Sequence, residues 1–201
     1  MAKIVTADYD IDLEIPSLQN MSDDEFFNFC AQNKKTRIER DENHQIYIMP
    51  PVGNDSSAQN SLLTFELVSW NKKHKKGIVF DSSAGFFLPD KSMRSPDAAW
   101  ISNERWMAIS AEEKSKFAHI TPDFIIELMS NFDRLNHLKK KMEKWIENGV
   151  QLAWLIVPQT QQSFIYRKNK SIEIVNSFDE KLSGEDILPE FILDLKELMV
   201  S

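Results

Sequence analysis

The sequence predicts an α/β (α+β) protein with a mixed central sheet flanked by helices, and three observations lead to this prediction. A strand, a helix and a second strand follow one another with short connections over residues 123–157, which is the pattern of a parallel crossover. Two segments, at residues 37–49 and 163–175, alternate in polarity around a turn, as antiparallel hairpins do. Ser22-Asp23-Asp24-Glu25 has the form of a capping box, which marks the start of a helix.

The composition favours a single domain over residues 1–201. Hydrophobic residues make up 42% of the chain and 13 residues are Phe, which is enough to bury one sizeable core. No stretch approaches the roughly twenty apolar residues of a membrane span, and the first residues lack the apolar core of a signal peptide. We therefore expect a cytoplasmic protein without membrane contact. Cys30 lies among phenylalanines and is interpreted as helix core rather than as a nucleophile.

The charge pattern bears on binding to nucleic acid. The net charge of -7 argues against a protein that coats nucleic acid by electrostatics alone. Two local basic clusters, at residues 72–76 and at residues 139–141 with Lys144, could nevertheless contact phosphates. For the first cluster, a solvated helix end is the favoured interpretation.

The secondary structure can be followed along the chain from changes of hydrophobic period. The capped helix precedes a hairpin with its turn at residues 41–44, and Gly77 ends a second amphipathic helix. The turn at residues 89–92 is expected to join the strand before it to the strand that follows Ser95. Ser130 to Asp133 can cap the crossover helix, and Asn148-Gly149 can end it. The predicted elements are strands at 37–40, 45–49, 78–80, 85–88, 95–101, 123–129, 151–157, 163–168 and 171–175, and helices from 22, at 56–73, from 135 and near 195–199.

Two acids stand where an apolar strand is expected. Glu127 lies within an apolar stretch at residues 124–129, where an unpaired charge costs several kcal/mol, and Asp97 heads another apolar strand. Facing side chains on neighbouring strands approach to about 5 Å at Cβ, which lets two carboxylates share one Mg²⁺. Asp123 shares a strand with Glu127 but lies about 13 Å away, so a structural role is expected. Asp90 lies in a turn, where Asp is common.

Each candidate has a structural alternative. Asp97 could be an ordinary residue at a strand end, and Glu127 could form a buried ion pair with Arg or Lys. In the following helix, Lys139 and Lys141 flank opposite sides of an apolar stripe, and the helical wheel does not choose between them. The stripe includes Leu138, Met142 and Trp145. Both could be surface lysines. No His cluster, Cys pair, Gly-rich phosphate loop or Gly-x-Ser-x-Gly motif competes for the chemistry.

Several motifs carry a resemblance to a known family. A strand acid after Pro, a second acid about thirty residues later and a crossover helix resemble the PD-(D/E)XK nuclease superfamily, which implies a restriction-endonuclease-like core with an added N-terminal hairpin and C-terminal hairpin. The chain more closely resembles the Uma family of putative restriction endonucleases over residues 22–199. The motifs are Arg37-Ile38-Glu39-Arg40, Gly85-Phe86-Phe87-Leu88-Pro89, Arg94-Ser95-Pro96-Asp97, Pro122-Asp123-Phe124-Ile125-Ile126-Glu127 and Trp154-Leu155-Ile156-Val157-Pro158.

The resemblance assigns roles to four residues. It implies that Asp97 and Glu127 bind the metal, that Lys141 is the catalytic helix lysine and that Glu39 helps to hold metal or water. A pair of Glu39 with Arg37 or Arg40 within the hairpin is the alternative. The chain departs from the superfamily motif because Glu127-Leu128-Met129 lacks the final lysine. It also has Ser56-Ser57-Ala58-Gln59-Asn60 where many family members have a His.

The sequence therefore predicts a nuclease that requires Mg²⁺, with Mn²⁺ as a substitute. The resemblance implies an endonuclease that hydrolyses phosphodiester bonds of DNA, and a homodimer because cutting a duplex needs two active sites. One alternative is a catalytically inactive nuclease-fold binding or scaffold protein derived from a mobile element. A glycosidase with paired acids is a third class, and nothing else in the chain favours it.

Overall fold

The computed structural model describes residues 20–49 and 51–199, together with the backbone of residues 4–6. The chain forms two units from interleaved segments, and each is described by itself. The first unit comprises Met1–Pro51, Ser83–Ser95 and Ile109–Thr121, and the second comprises Val52–Ser82, Pro96–Ala108 and Pro122–Ser201. The single domain over residues 1–201 stays a prediction.

The helices and strands of the described residues are numbered in chain order. The α-helices are α1 (Asp23–Gln32), α2 (Asn54–His74), α3 (Asn103–Ala108), α4 (Ala111–Lys114) and α5 (Leu135–Glu147). The strands are β1 (Ile4–Thr6), β2 (Arg37–Arg40), β3 (Ile46–Met49), β4 (Gly77–Asp81), β5 (Phe86–Phe87), β6 (Met93–Arg94), β7 (Ala98–Ser102), β8 (Phe124–Leu128), β9 (Leu152–Val157), β10 (Gln162–Arg167), β11 (Ile172–Val175), β12 (Lys181–Ser183) and β13 (Ile192–Asp194).

The first unit contains the predicted N-terminal helix and hairpin. Glu25 N donates to Ser22 Oγ over 3.2 Å, and Ser22 N donates to Glu25 Oε2 over 2.8 Å, which confirms the capping box that begins α1. Strands β2 and β3 pair antiparallel within a sheet of order β1-β3-β2-β6-β5. Cys30 packs at the margin of the core of this unit, and burial raises the pKa of its thiol to about 12. Such a thiol is a poor nucleophile at neutral pH, in agreement with its prediction as helix core.

An exposed histidine in the first unit gives a pH-dependent prediction. His119 Nε2 lies 2.8 Å from Asp23 Oδ2, and His119 Nδ1 lies 3.1 Å from Glu113 Oε2. Burial lowers the pKa of His119, but the hydrogen bonds to the two carboxylates outweigh burial and raise it. The pKa of His119 is thus higher in the folded than in the unfolded protein, where it is about 6.5. Its protonation therefore stabilises the fold fully at pH values below about 6.5, and this stabilisation is lost as the pH rises through the folded-state pKa.

We expect His119→Gln to lower the free energy of unfolding by about 0.5 to 1 kcal/mol at pH 6, a magnitude appropriate to exposed ion pairs, and by less at pH 9. Urea denaturation at the two pH values measures the difference. An equal loss at pH 6 and pH 9 would show that the imidazolium charge contributes nothing.

The second unit is built on the predicted mixed sheet. Its strand order is β11-β10-β9-β8-β7-β4. Strands β8 and β9 pair parallel, as the strand-helix-strand prediction required, and the remaining neighbours pair antiparallel. The predicted C-terminal hairpin is formed by β10 and β11. All residues of β8 and β9 are buried, as predicted from their apolar sequences.

The two faces of this sheet have different coverings. Successive strand residues point to opposite faces. Phe124, Ile126 and Leu128 of β8 belong to a core cluster with Leu63 and Leu67 of α2. The alternate residues of β8 therefore point to the other face, and Glu127 is among them. Helix α5 packs against β9 and β10, and its Trp145 hydrogen-bonds Glu127, so α5 covers the face that carries this acid.

Two local predictions are wrong. The turn at residues 89–92 joins β5 to β6 rather than to β7, because the short strand β6 interrupts the predicted connection. Ser130 and Asp133 hydrogen-bond each other and do not cap α5, whose N-cap is Arg134 without a side-chain hydrogen bond. The predicted C-terminal helix is present, as a 3-10 helix at Leu195–Leu198. Strands β1, β6, β12 and β13 are additional to the predicted elements.

No helix in the described part of the chain is both long enough and apolar enough to cross a membrane.

Candidate functional site

Strand pairing in the second unit brings the two predicted acids close together. Strand β7 runs antiparallel to β8 with Ala98 opposite Ile126, and Asp97 directly precedes β7. Asp97 N donates to Ile126 O over 3.0 Å, and Leu128 N donates to Asp97 Oδ2 over 2.8 Å. Asp97 therefore hydrogen-bonds the residues on either side of Glu127, at the end of β8.

Helix α5 supplies the groups that balance the buried carboxylate. Glu127 is only 3% exposed. Lys141 Nζ lies 2.9 Å from Glu127 Oε1, and Trp145 Nε1 donates to the same oxygen over 2.9 Å. Lys141 and Trp145 are four residues apart, so they lie on one side of the helix in successive turns. The ion pair with a lysine, which the sequence left open for Glu127, is present in the structure.

The two flanking lysines of α5 have different contacts in the structure. Lys141 contacts Glu127, whereas Lys139 Nζ lies over the ring of Phe164, 4.2 Å from its centroid. The side chain of Lys141 is 11% exposed. Its ammonium group is thus held inside the site, while Lys139 contributes a cation-π contact with β10.

Glu39 belongs to the first unit. It is buried, and its Oε1 accepts a hydrogen bond from Ser95 N over 3.0 Å. Its Oε2 lies 4.0 Å from Arg94 Nη1. Arg40 donates to Met21 O and to Asp23, and Arg37 donates to Ser95 O. The role of Glu39 beside metal or water stays a prediction.

Two other acids have structural roles, as expected. Asp123 is buried at the start of β8, where Arg105 Nη1 lies 2.7 Å from Oδ1 and Ser102 N donates to Oδ2 over 2.9 Å. Asp90 accepts hydrogen bonds from Ser92 N and Ser92 Oγ over 2.9 and 2.6 Å in its turn. Both carboxylates hold local structure through these bonds.

The donor set fits a hard divalent cation. Mg²⁺ in proteins is bound by one or two carboxylates together with water and substrate phosphate, and Asp97 and Glu127 provide two. A carboxylate offers about four acceptor sites, so the two donors on Glu127 Oε1 do not by themselves exhaust it. Within residues 20–49 and 51–199, no group of three or more His, Cys, Asp or Glu side chains is placed to hold a metal.

Sequence reasoning missed the part played by Trp145. It assigned this residue to the apolar stripe of α5, and the side chain is indeed fully buried. The indole N–H, however, needs a partner when buried, and it finds one in Glu127. A Trp four residues after a candidate site lysine was the available signal, because positions i and i+4 share a helix face.

Comparison with known proteins gives two findings. The family model Uma2, described as "Putative restriction endonuclease", matches residues 23–196. The crystal structure of a putative nuclease belonging to DUF820, from Anabaena variabilis ATCC 29413, superposes with a TM-score of 0.71 and 23% sequence identity. The match covers 89% of this chain and 97% of that chain, and it shows that the two share a fold. A search of curated proteins gives no significant match.

Proposed function

Because the chain belongs to the Uma2 family of putative restriction endonucleases, we propose that it is a Mg²⁺-dependent endonuclease that hydrolyses phosphodiester bonds of DNA. The observation that carries the proposal is the buried pair of Lys141 and Glu127, 2.9 Å apart, beside Asp97. A buried cation beside two acids suits phosphoryl transfer, since the substrate is an anion and carboxylates are the usual protein ligands of Mg²⁺.

Each residue has a distinct role in this proposal. Asp97 and Glu127 would hold the metal through carboxylate oxygens, and Mn²⁺ would replace Mg²⁺. A bound Mg²⁺ would supply Lewis-acid stabilisation of the phosphoryl oxygens and lower the pKa of its water. Lys141 orients Glu127 and presents a positive charge towards the phosphate, where negative charge develops during hydrolysis. Trp145 fixes Glu127 from the same helix, which reduces the reorganisation needed on binding.

The lysine arrangement accounts for the departure from the superfamily motif. In this chain Met129 occupies the position of the motif lysine two residues after Glu127. Lys141 brings an ammonium group to Glu127 from α5 instead. We propose that this helix lysine takes over the role of the missing strand lysine.

A catalytically inactive nuclease-fold protein is the second candidate. The observation that favours it is that Glu127 is balanced by Lys141 and Trp145 within the protein. A buried carboxylate with these partners can hold α5 on the sheet without a metal. Such a protein would bind or scaffold nucleic acid without cutting it.

Incubation of the purified protein with supercoiled plasmid DNA separates the two candidates. The proposed nuclease nicks the plasmid with Mg²⁺ or Mn²⁺ and leaves it intact in EDTA. Binding of DNA with no nicking in either metal would favour the inactive protein. A homodimer, which cutting both strands would need, stays a prediction that sedimentation can check.

A further inference from the structure

The loop between β8 and α5 joins the two elements that carry the candidate site. Strand β8 ends at Leu128, one residue after Glu127, and α5 begins at Leu135, six residues before Lys141. The loop therefore borders the acids at one end and the helix of the site lysine at the other. All of these residues belong to the second unit.

Hydrogen bonds fix the backbone of this loop. Asp133 Oδ2 accepts from Ser130 N over 2.8 Å and from Ser130 Oγ over 2.6 Å, while Phe132 N donates to Ser130 Oγ over 3.3 Å. On the other side of the loop, Gln159 Nε2 donates to Met129 O over 3.3 Å and to Asn131 Oδ1 over 3.0 Å. The conformation of the loop is thus fixed by these bonds although Asn131, Phe132 and Arg134 are exposed.

The loop presents an aromatic ring and a cation to solvent. Phe132 is 49% exposed. Arg134 is exposed at the N-cap position of α5. An exposed phenylalanine lacks the hydrophobic stabilisation that removal of its ring from water would give. Its position beside the site suggests a ligand with a flat apolar face and a negative charge.

We propose that Phe132 stacks on an unpaired nucleobase of the DNA strand and that Arg134 contacts a backbone phosphate of the same strand. This inference rests on the proposed function. Arg134 and Lys141 are seven residues apart, or about 10 Å along the helix axis at 1.5 Å per residue.

Fluorescence anisotropy with a labelled single-stranded DNA oligonucleotide in EDTA tests the proposal without cutting. Base-aromatic stacking is sequence-tolerant, and its loss lowers affinity by about 5- to 150-fold. We expect this loss for Phe132→Ala and a similar loss for Phe132→Leu, which keeps an apolar side chain but has no aromatic face. Phe132→Trp should retain the wild-type affinity. Phe65→Ala, at a phenylalanine 61% exposed on α2, is the matched control and should bind as wild type.

The salt dependence of DNA affinity tests the proposed contact between Arg134 and a phosphate. Removing one phosphate contact reduces the slope of log affinity against log salt by about 0.7 for a single strand. We expect this change for Arg134→Gln and none for Lys168→Gln, which removes an exposed cation at the β10–β11 turn.

The results separate this inference from the proposed nuclease activity. Nicking by a protein whose Phe132→Ala variant binds like wild type would overturn the stacking proposal and leave the nuclease proposal standing. Binding that depends on Phe132 without nicking would support the stacking site and contradict catalysis. Equal losses for Phe132→Ala and Phe65→Ala, or no binding by the wild type, would overturn the stacking site.

Discussion

Asp97→Asn and Glu127→Gln are each expected to reduce Mg²⁺-dependent nicking of plasmid DNA by at least about 100-fold. A metal ion supplies several kcal/mol of transition-state stabilisation, and each 1.36 kcal/mol is a factor of ten in rate. Both substitutions keep side-chain shape and remove the charge. Asparagine at position 97 can still accept the hydrogen bond from Leu128 N, so the β7–β8 connection is preserved. The rate of nicked-circle formation on agarose gels measures the effect.

Asp123→Asn is the matched control for this prediction. Asp123 is also a buried carboxylate of the same sheet, but its partners are Arg105, Ser102 and Gln151. We expect this variant to lose stability and to keep its nicking rate at temperatures where it remains folded. Full activity of a folded Asp97→Asn/Glu127→Gln double variant would show that neither residue belongs to the active site.

Lys141→Met is expected to lower the free energy of unfolding by about 3 to 5 kcal/mol, because it leaves the Glu127 carboxylate buried without its cation. Glu127→Gln should also lower the free energy of unfolding, because it leaves the largely buried Lys141 ammonium without the Glu127 charge. The double variant Glu127→Gln/Lys141→Met removes both charges and should recover much of the loss, as replacement of buried ion pairs by neutral groups often does. Urea denaturation of the four proteins gives the coupling energy.

An exposed ion pair on the same helix provides the comparison. Lys144 and Glu147 lie 3.2 Å apart with side chains 40% and 50% exposed. Lys144→Met should cost at most about 1 kcal/mol, because solvent screens such pairs. A loss for Lys141→Met as small as that for Lys144→Met would mean that the Glu127 charge is solvated or balanced by other groups.

Local sequence signals predicted much of the fold because they act over a few residues. The Ser22 capping box, the parallel β8–β9 pair and the hairpins all follow from spacing within one segment. The pairing of β6 with β2 joins Met93 to Arg40 across more than fifty residues, and two-residue strands carry no detectable period. The division into two interleaved units has the same origin, since it depends on contacts between distant segments.

The candidate site could be predicted in part. A charge in a strand buried on both faces needs a partner, and this reasoning selected Glu127 and required a cation nearby. Helical geometry alone left Lys139 and Lys141 equivalent, because both flank the stripe of α5. Their difference arises from tertiary packing, which brings Lys141 to Glu127 and Lys139 to the Phe164 ring. The hydrogen bond from Trp145 was missed because an indole in an apolar stripe looks like ordinary core.

The joint binding of a divalent cation by Asp97 and Glu127 is the central claim, and a crystal soaked in Mn²⁺ tests it most directly. Our proposal predicts an anomalous difference peak bounded by carboxylate oxygens of both residues, and its loss in Asp97→Asn crystals. A Mn²⁺-soaked crystal with no peak at these carboxylates, and with Lys141 Nζ still on Glu127 Oε1, would contradict the proposal.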